Sequence, residues 1–253
     1  MKLVKPSSIA AAILIMFAVV AAFAGFASHV SGGVPVDSDK ATCTVSGAEA
    51  GSQLGAGPVG AIHAHLCGFH FYNGDMSRQV RADHYCSHLN ADVWQCIIYE
   101  SDRRDARLVG VEYIISGALF SGLPEQEKKL WHSHRYEVMS GQLVALGIAD
   151  AAERQLMKEF AGTYGKTWYL WQVDRGDRLP IGLPKLMMGF TSDGQADPKL
   201  VSKRDGELGV DSAGIRARRA GMETPAKLPG ADAWLHDRAF QIDDALMAGP
   251  QGK

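Results

Sequence analysis

Residues 61–72 read AIHAHLCGFHFY and run into Asn73-Gly74-Asp75. Apolar and polar side chains mix in near-alternation up to a short turn signal, the pattern of a strand entering a hairpin. Outward from this stretch, residues 92–99 (DVWQCIIY) are β-branched and aromatic, and 107–116 (RLVGVEYIIS) alternate. Each reads as a strand. Residues 80–89 fit strand or helix, and 101–106 a charged turn. Further strands are expected over 142–148, 167–173 (TWYLWQV) and 186–191. Helices are fewer. Pro124 suits a first helical position and Glu125 and Glu127 a first turn, which places a helix over 124–131. Asp150 reads as the cap of a longer helix to Tyr164, with Ala152, Leu156, Phe160 and Tyr164 at four-residue spacing and Gly165 as its stop. The expected fold class is α+β: a mostly antiparallel sheet with a few packed helices in a single main domain.

With 253 residues, 46% of them hydrophobic, the chain can bury a core without covalent staples. Its formal net charge of -2 and pI near 6.5 argue against a nucleic-acid partner, which needs a basic face. The local run Arg216, Arg218 and Arg219 reads as a solvated helix face. At the N-terminus, Lys2 and Lys5 precede an uncharged apolar run, Ser8 to Ala24, followed by Ala22-Phe23-Ala24 and Gly25-Phe26-Ala27. This is a secretory signal pattern, nearly long enough to span a bilayer. The expected organisation is therefore a signal peptide or N-terminal anchor over 1–27 and a flexible linker over 28–58. An α+β domain follows over 59–195, and a polar C-terminal extension over 196–253 docks back through Trp234, Leu235 and Phe240. The expected location is periplasmic or extracellular, or at a membrane through an uncleaved N-terminus, which would be the only membrane contact. Cys43, Cys67, Cys86 and Cys96 allow up to two disulfides in three connectivities, and no CxxC is present.

Nine histidines are present, and seven lie between His63 and His134. His63, His65 and His70 fall on the first strand, His84 and His88 are four apart, and His132 and His134 two apart. Side chains two apart share a face of a strand, and those four apart share a face of strand and helix alike. Each group can therefore present two imidazoles together. Glu137 completes an H-x-H-x-x-E pattern. A similar H-x-H followed by Glu holds metals in cupin barrels, at a longer spacing and among glycines that this sequence lacks. Neutral imidazole is the commonest metal ligand, so His65, His70, His84, His88, His132, His134 and Glu137 are candidate ligands for a divalent ion such as zinc. The competing expectation is that each histidine satisfies a local carbonyl or carboxylate. No G-x-S-x-G, G-x-G-x-x-G or Walker loop is present.

Several longer stretches carry a family resemblance: HAHLCGFHFYNGDMSRQV (63–80), HYCSHLNADVWQCIIYESD (84–102), ARLVGVEYIIS (106–116), LWHSHRYEV (130–138), TYGKTWYLWQVDRGDRLPIGLP (163–184) and LMMGFT (186–191). In this order they resemble the oil body-associated protein family, a family of unknown biochemical activity with plant, fungal and bacterial members. PKLVSKRD (198–205) is similar to the family's C-terminal part. The resemblance implies a domain that associates with lipid bodies in plant members, and it implies no catalytic residues. His65, Cys67, His70, His84, Cys86, His88, Cys96, His132, His134 and Glu137 lie within the matching motifs. The signal-like N-terminus and Cys43 depart from the family.

Two functions follow as expectations. One is a non-catalytic binding module for a lipid surface, a small apolar ligand or a partner. The other is a metal-dependent enzyme using the histidine cluster, with Glu137 as ligand or general base. The N-terminal pattern yields a direct prediction: mass spectrometry of the mature protein shows a new N-terminus after Ala24 or Ala27. An intact Met1 in the membrane fraction would instead identify an anchor.

Overall fold

The computed structural model describes residues 55–236 and 240–242. The expected signal or anchor segment, Cys43 and all of the expected linker before residue 55 lie outside the described residues.

Eight strands form one antiparallel sheet: β1 (Ala64–Tyr72), β2 (Asp75–Asn90), β3 (Val93–Tyr99), β4 (Leu108–Ser116), β5 (His132–Ser133), β6 (Val144–Ala145), β7 (Thr163–Tyr169) and β8 (Lys185–Met188). The helices are α1 (Gly117–Ser121), α2 (Glu125–Lys128), α3 (Arg135–Met139), α4 (Asp150–Phe160), α5 (Pro198–Leu208) and α6 (Ser212–Arg219), with three short 3-10 turns. No helix among the described residues is long and apolar enough to cross a membrane.

The antiparallel pairing is as expected, but the α+β class is corrected. The sheet closes on itself as a six-stranded barrel, β1-β2-β3-β4-β7-β8 and back to β1, with β5 and β6 as two outer strands. Closure has two causes. The first is the length of β2, whose 16 residues pair with β1 over 75–86 and with β3 over 83–90. The second is β8, which bridges β7 through Thr167↔Met187 and β1 through Phe71↔Met188. That last pairing joins residues over a hundred positions apart and covers two register pairs, so alternation within any strand cannot reveal it.

β8 closes only one end of the β7–β1 seam. At the other end β5 pairs with β7 (His132↔Gly165) and β6 with β1 (Leu66↔Ala145), with α3 between them in sequence. This segment brings His132, His134 and Glu137 to the barrel interior. Two apolar layers bracket it. Leu66, Trp94, Ile114, Leu143, Met157 and Phe160 form one. Tyr72, Val80, Ile98, Tyr169 and Met187 form the other.

Helix α4 ends at Phe160, four residues before its expected end at Tyr164. Thr163 there bonds the Phe160 carbonyl and enters the ladder with Ser116. Sheet pairing overrides the helical spacing of Tyr164. Ala149, not Asp150, occupies the cap position, and Asp150 lies in the first turn. Cys86 and Cys96, directly opposed on β2 and β3, form a disulfide, while Cys67 is free and buried.

The outer face of β1, Cys67, Phe69 and Phe71, is covered by residues of α5 and α6 and by Trp234, whose ring meets Phe71 edge-on. Leu235 and Phe240, also expected as anchors, are exposed. Arg219 is not solvated as expected: it is buried, donates to the carbonyls of Val138 and Leu143, and pairs with Glu153. Arg204 is fully buried and donates to the carbonyls of Cys67 and Gln142 and to Ser212. Removing such a group strands the acceptors it served, so Arg204→Ala should cost about 3–5 kcal/mol. A fall in the urea midpoint checks this; an unchanged midpoint would show that the C-terminal helices are not clamped through it.

Candidate metal centre

β1, β2 and β4 each turn one polar side chain into the barrel: His70, His84 and Glu112. The seam segment adds His132 from β5, His134 at the start of α3 and Glu137 in its first turn. None of the six is more than 4% exposed. Glu112 lies at their centre. Its Oε2 is 2.8 Å from His84 Nε2 and 3.8 Å from His70 Nε2. Its Oε1 is 3.1 Å from His134 Nε2 and 3.4 Å from His132 Nε2. Glu137 Oε2 lies 3.9 Å from His132 Nε2. Two overlapping triads, His70–His84–Glu112 and Glu112–His132–His134, each bring three ligand atoms within 4.8 Å of one another.

The bonds behind the centre fix one proton. Thr163 Oγ1 donates to the Phe160 carbonyl at 2.8 Å, so it accepts from His134 Nδ1, also at 2.8 Å. Neutral His134 then points the lone pair of Nε2 at a carboxylate oxygen. Two acceptors face each other, an arrangement that needs a proton or a cation between them. His70 Nδ1 meets the Tyr169 hydroxyl at 3.2 Å. Beneath β5, the buried Asp232 accepts from both the backbone and the hydroxyl of Ser133, which holds the stretch between the two imidazoles.

Electrostatics divides the two carboxylates. Burial alone would raise Glu112, but its contacts with His134 and His84 hold it well below the usual carboxylate range. Glu137 is pushed well above that range by burial, then by the charges of Glu112 and Asp232. Burial also lowers His70 well below its ordinary value, and His132 to about 3, against the pull of Glu112.

Buried polar atoms are normally paired, yet both ring nitrogens of His84, both of His132, and Glu137 Oε2 lack hydrogen-bond partners. His84 Nε2 is close to Glu112, but not along a line a hydrogen bond can use. A cavity of about 10 Å³ is lined by His70, His84, Glu112, His134, Glu137 and apolar neighbours, with His132 outside its lining. That is room for one water or one ion. The wall is shaped to leave it. A Cβ on Gly165 would overlap Glu112 Oε1 and come within 2.7 Å of His132 Cε1 and 2.8 Å of His134 Nε2. One on Gly189 would come within 2.6 Å of Glu137 Oε2. Gly165, expected as a helix stop, is thus an interior strand position required by the cluster. The buried His/Glu group could hold a metal ion.

Of the sequence candidates, His70, His84, His132, His134 and Glu137 converge. His65 and His88 lie apart. His65 is on the outer face of β1, bonded to Asp83 at 2.9 Å and stacked on Tyr85. His88 shares a strand face with His84 but sits four residues on, about 13 Å along a strand. There it is exposed, tilted against Trp94, and both stacked on and bonded to His63. Sequence reasoning missed Glu112. Its signal was a lone carboxylate in an apolar strand, since an acidic residue is almost never fully buried unless paired.

A family model described as "Protein of unknown function (DUF1264)" matches residues 56–223. The chain belongs to this family. Among DUF1264 relatives, an oil body-associated protein 1B of Arabidopsis thaliana is 45% identical over 76% of this chain and 80% of its own. An oil body-associated protein 2A of Zea mays is 47% identical over 74% and 76%. A 1A protein of Zea mays is 47% identical over 69% and 74%. No solved structure matches the chain.

The glycine wall gives this DUF1264 chain a sharp test. Gly165→Ala should lower stability by at least about 1–3 kcal/mol through overpacking, read as a lower thermal midpoint. A midpoint equal to wild type would mean that the cluster does not need this space.

Proposed function

We propose that this protein is a non-catalytic binding module built around one structural divalent ion. The observation that carries this reading is the unpartnered His84 nitrogens and Glu137 Oε2 at a cavity of one ion's size, with the unpartnered His132 ring beside them. Ligands about 2.0–2.1 Å from a zinc in a tetrahedron lie about 3.3 Å from each other. The nitrogen–oxygen separations of 2.8–3.9 Å are of this order. Charge points to one ion rather than two. In the deprotonated form that coordination requires, four imidazoles and two carboxylates carry -2, which a single divalent ion cancels. A second ion would leave net charge in a dry interior, at a high desolvation cost. Imidazole and carboxylate donors suit zinc.

The surroundings support a structural ion over an enzyme. Structural sites are closed, whereas catalytic ones keep an open position beside a cleft. Here apolar layers lie on both sides of the donors. The outward role then falls to the barrel's surface. The relatives' names refer to oil bodies, and we infer that this chain likewise meets a lipid surface. The N-terminal signal pattern and the Cys86–Cys96 disulfide support a site of action outside the cytoplasm.

Elemental analysis of protein purified without an affinity tag should find one ion per chain, depleted in His84→Ala and in His132→Ala. Stripping the ion should lower the thermal midpoint, and zinc should restore it, because an ion bound only by the folded state stabilises that state. Wild type that carries no ion and takes up none when zinc is added would sink the metal reading.

A further inference from the structure

The mouth of the barrel formed by the β1–β2, β3–β4 and β7–β8 connections gathers exposed apolar side chains. Eleven large hydrophobics are exposed among the described residues, and five are here: Leu108, Leu170, Leu179, Ile181 and Phe240. The ladder shows their proximity. Leu170 bonds to Val109, the neighbour of Leu108. Phe240 is tied to Asn73, at the β1–β2 turn. Leu179 and Ile181, 64% and 59% exposed, project from the β7–β8 connection.

That connection is braced. The carbonyl of Asp177 accepts from the Trp171 indole at 2.9 Å and from Arg107 at 3.3 Å. The Arg107 guanidinium also lies over the Trp171 ring. Ile181 N donates to the Leu179 carbonyl, closing a tight turn at the tip. The apolar tip is therefore presented by a held loop, at the cost of hydrating two large aliphatic side chains.

Charge at this mouth leans positive, with Asp75 of the β1–β2 turn, bonded to Ser77, as its carboxylate outside the ion pairs. Its carboxylates are mostly engaged: Glu100 by Arg107, Asp102 by Arg81, Asp105 by Arg103, Asp174 by Arg78 and Asp177 by Arg175. Arg104 and Arg178 are exposed and make no ion pair among the described residues. Aliphatic side chains ready to enter an acyl layer, beside cations free to meet headgroups, are the two components of interfacial binding.

We propose that this mouth, led by Leu179 and Ile181 with Arg104 and Arg178, is the face that docks on an anionic phospholipid surface. The proposal rests on the lipid-surface reading above and adds the face and the headgroup charge. The ion centre, beyond the layer of Tyr72, Ile98, Tyr169 and Met187, takes no part in the contact.

The test is flotation of the mature protein with vesicles of phosphatidylcholine alone and of an equal mixture of phosphatidylcholine and phosphatidylglycerol. Wild type should float with the mixed vesicles and bind them less as salt rises. Arg104→Gln and Arg178→Gln should each weaken binding roughly five-fold. Leu179→Asp combined with Ile181→Asp should abolish it while metal content and thermal midpoint stay at wild-type values. Leu119→Asp, an exposed apolar site on α1, should bind as wild type does. If the double variant floats like wild type, this face is wrong while the lipid reading stands. If wild type floats with neither vesicle, the lipid reading itself fails. If wild type dimerises and the double variant is monomeric, the face joins two copies of the chain, and the proposal is overturned.

Discussion

A carboxylate on the axis of a closed barrel sets the terms for the rest of this structure. Glu112 stands on the inward face of β4 beside the buried Ile114, and an unpaired buried charge there would cost several kcal/mol. Four imidazoles from β1, β2, β5 and the start of α3 answer it. Their approach requires that no side chain stand at Gly165, directly behind Glu112 Oε1. Thr163 fixes the outer ring nitrogen of His134, whereas those of His84 and His132 have no partner. The apolar layers on either side keep water from meeting the same need. β1, β2, β4 and β5 each contribute a polar group to this centre, and Gly165 on β7 and Gly189 after β8 leave the space for them.

The second carboxylate shows how the seam is held. Glu137 lies in a helix of five residues that spans a gap where β8 does not reach. So short a helix has little stability of its own. Its carbonyl ends are instead tied down from outside. Arg219 takes the carbonyls of Val138 and Leu143, and Arg204 takes that of Gln142. Asp232 holds Ser133 from the other side. Residues beyond the barrel strands thus place three of the six donors, although none of these holding groups touches the centre. This is a physical reason for the C-terminal helices to dock on the barrel: they complete a wall.

Inside and outside are separated by this construction. The centre is enclosed, and the apolar layer around Tyr169 and Ile98 stands between it and the mouth that carries Leu179 and Ile181. A change at the mouth can alter what the protein meets without disturbing the donors. A change at the donors acts on the fold first. At its centre this DUF1264 barrel places a buried set of imidazoles and carboxylates that could hold a metal ion.

Sequence determined the parts that depend on near neighbours. Strand identity, antiparallel hairpins and the shared face of His84 with His88 and of His132 with His134 follow from alternation, turn residues and spacing. Helix α4 was legible as a helix packing through Phe160, but its cap is Ala149, Ala152 is exposed where Met157 is buried, and its end was hidden because Tyr164 fits a helical period and a strand ladder equally well. What tertiary structure alone decided is the closure and everything that depends on it. The β1–β8 pairing turns an open sheet into a barrel, and only a barrel has an interior where Glu112 can be shared by two histidine pairs. The same closure puts His65 on the outside and leaves His88 at a rim, although their spacing was as suggestive as that of the residues that converge. Spacing fixes which face a side chain occupies; which faces meet is set by pairings between residues far apart in the chain, and no local pattern encodes them.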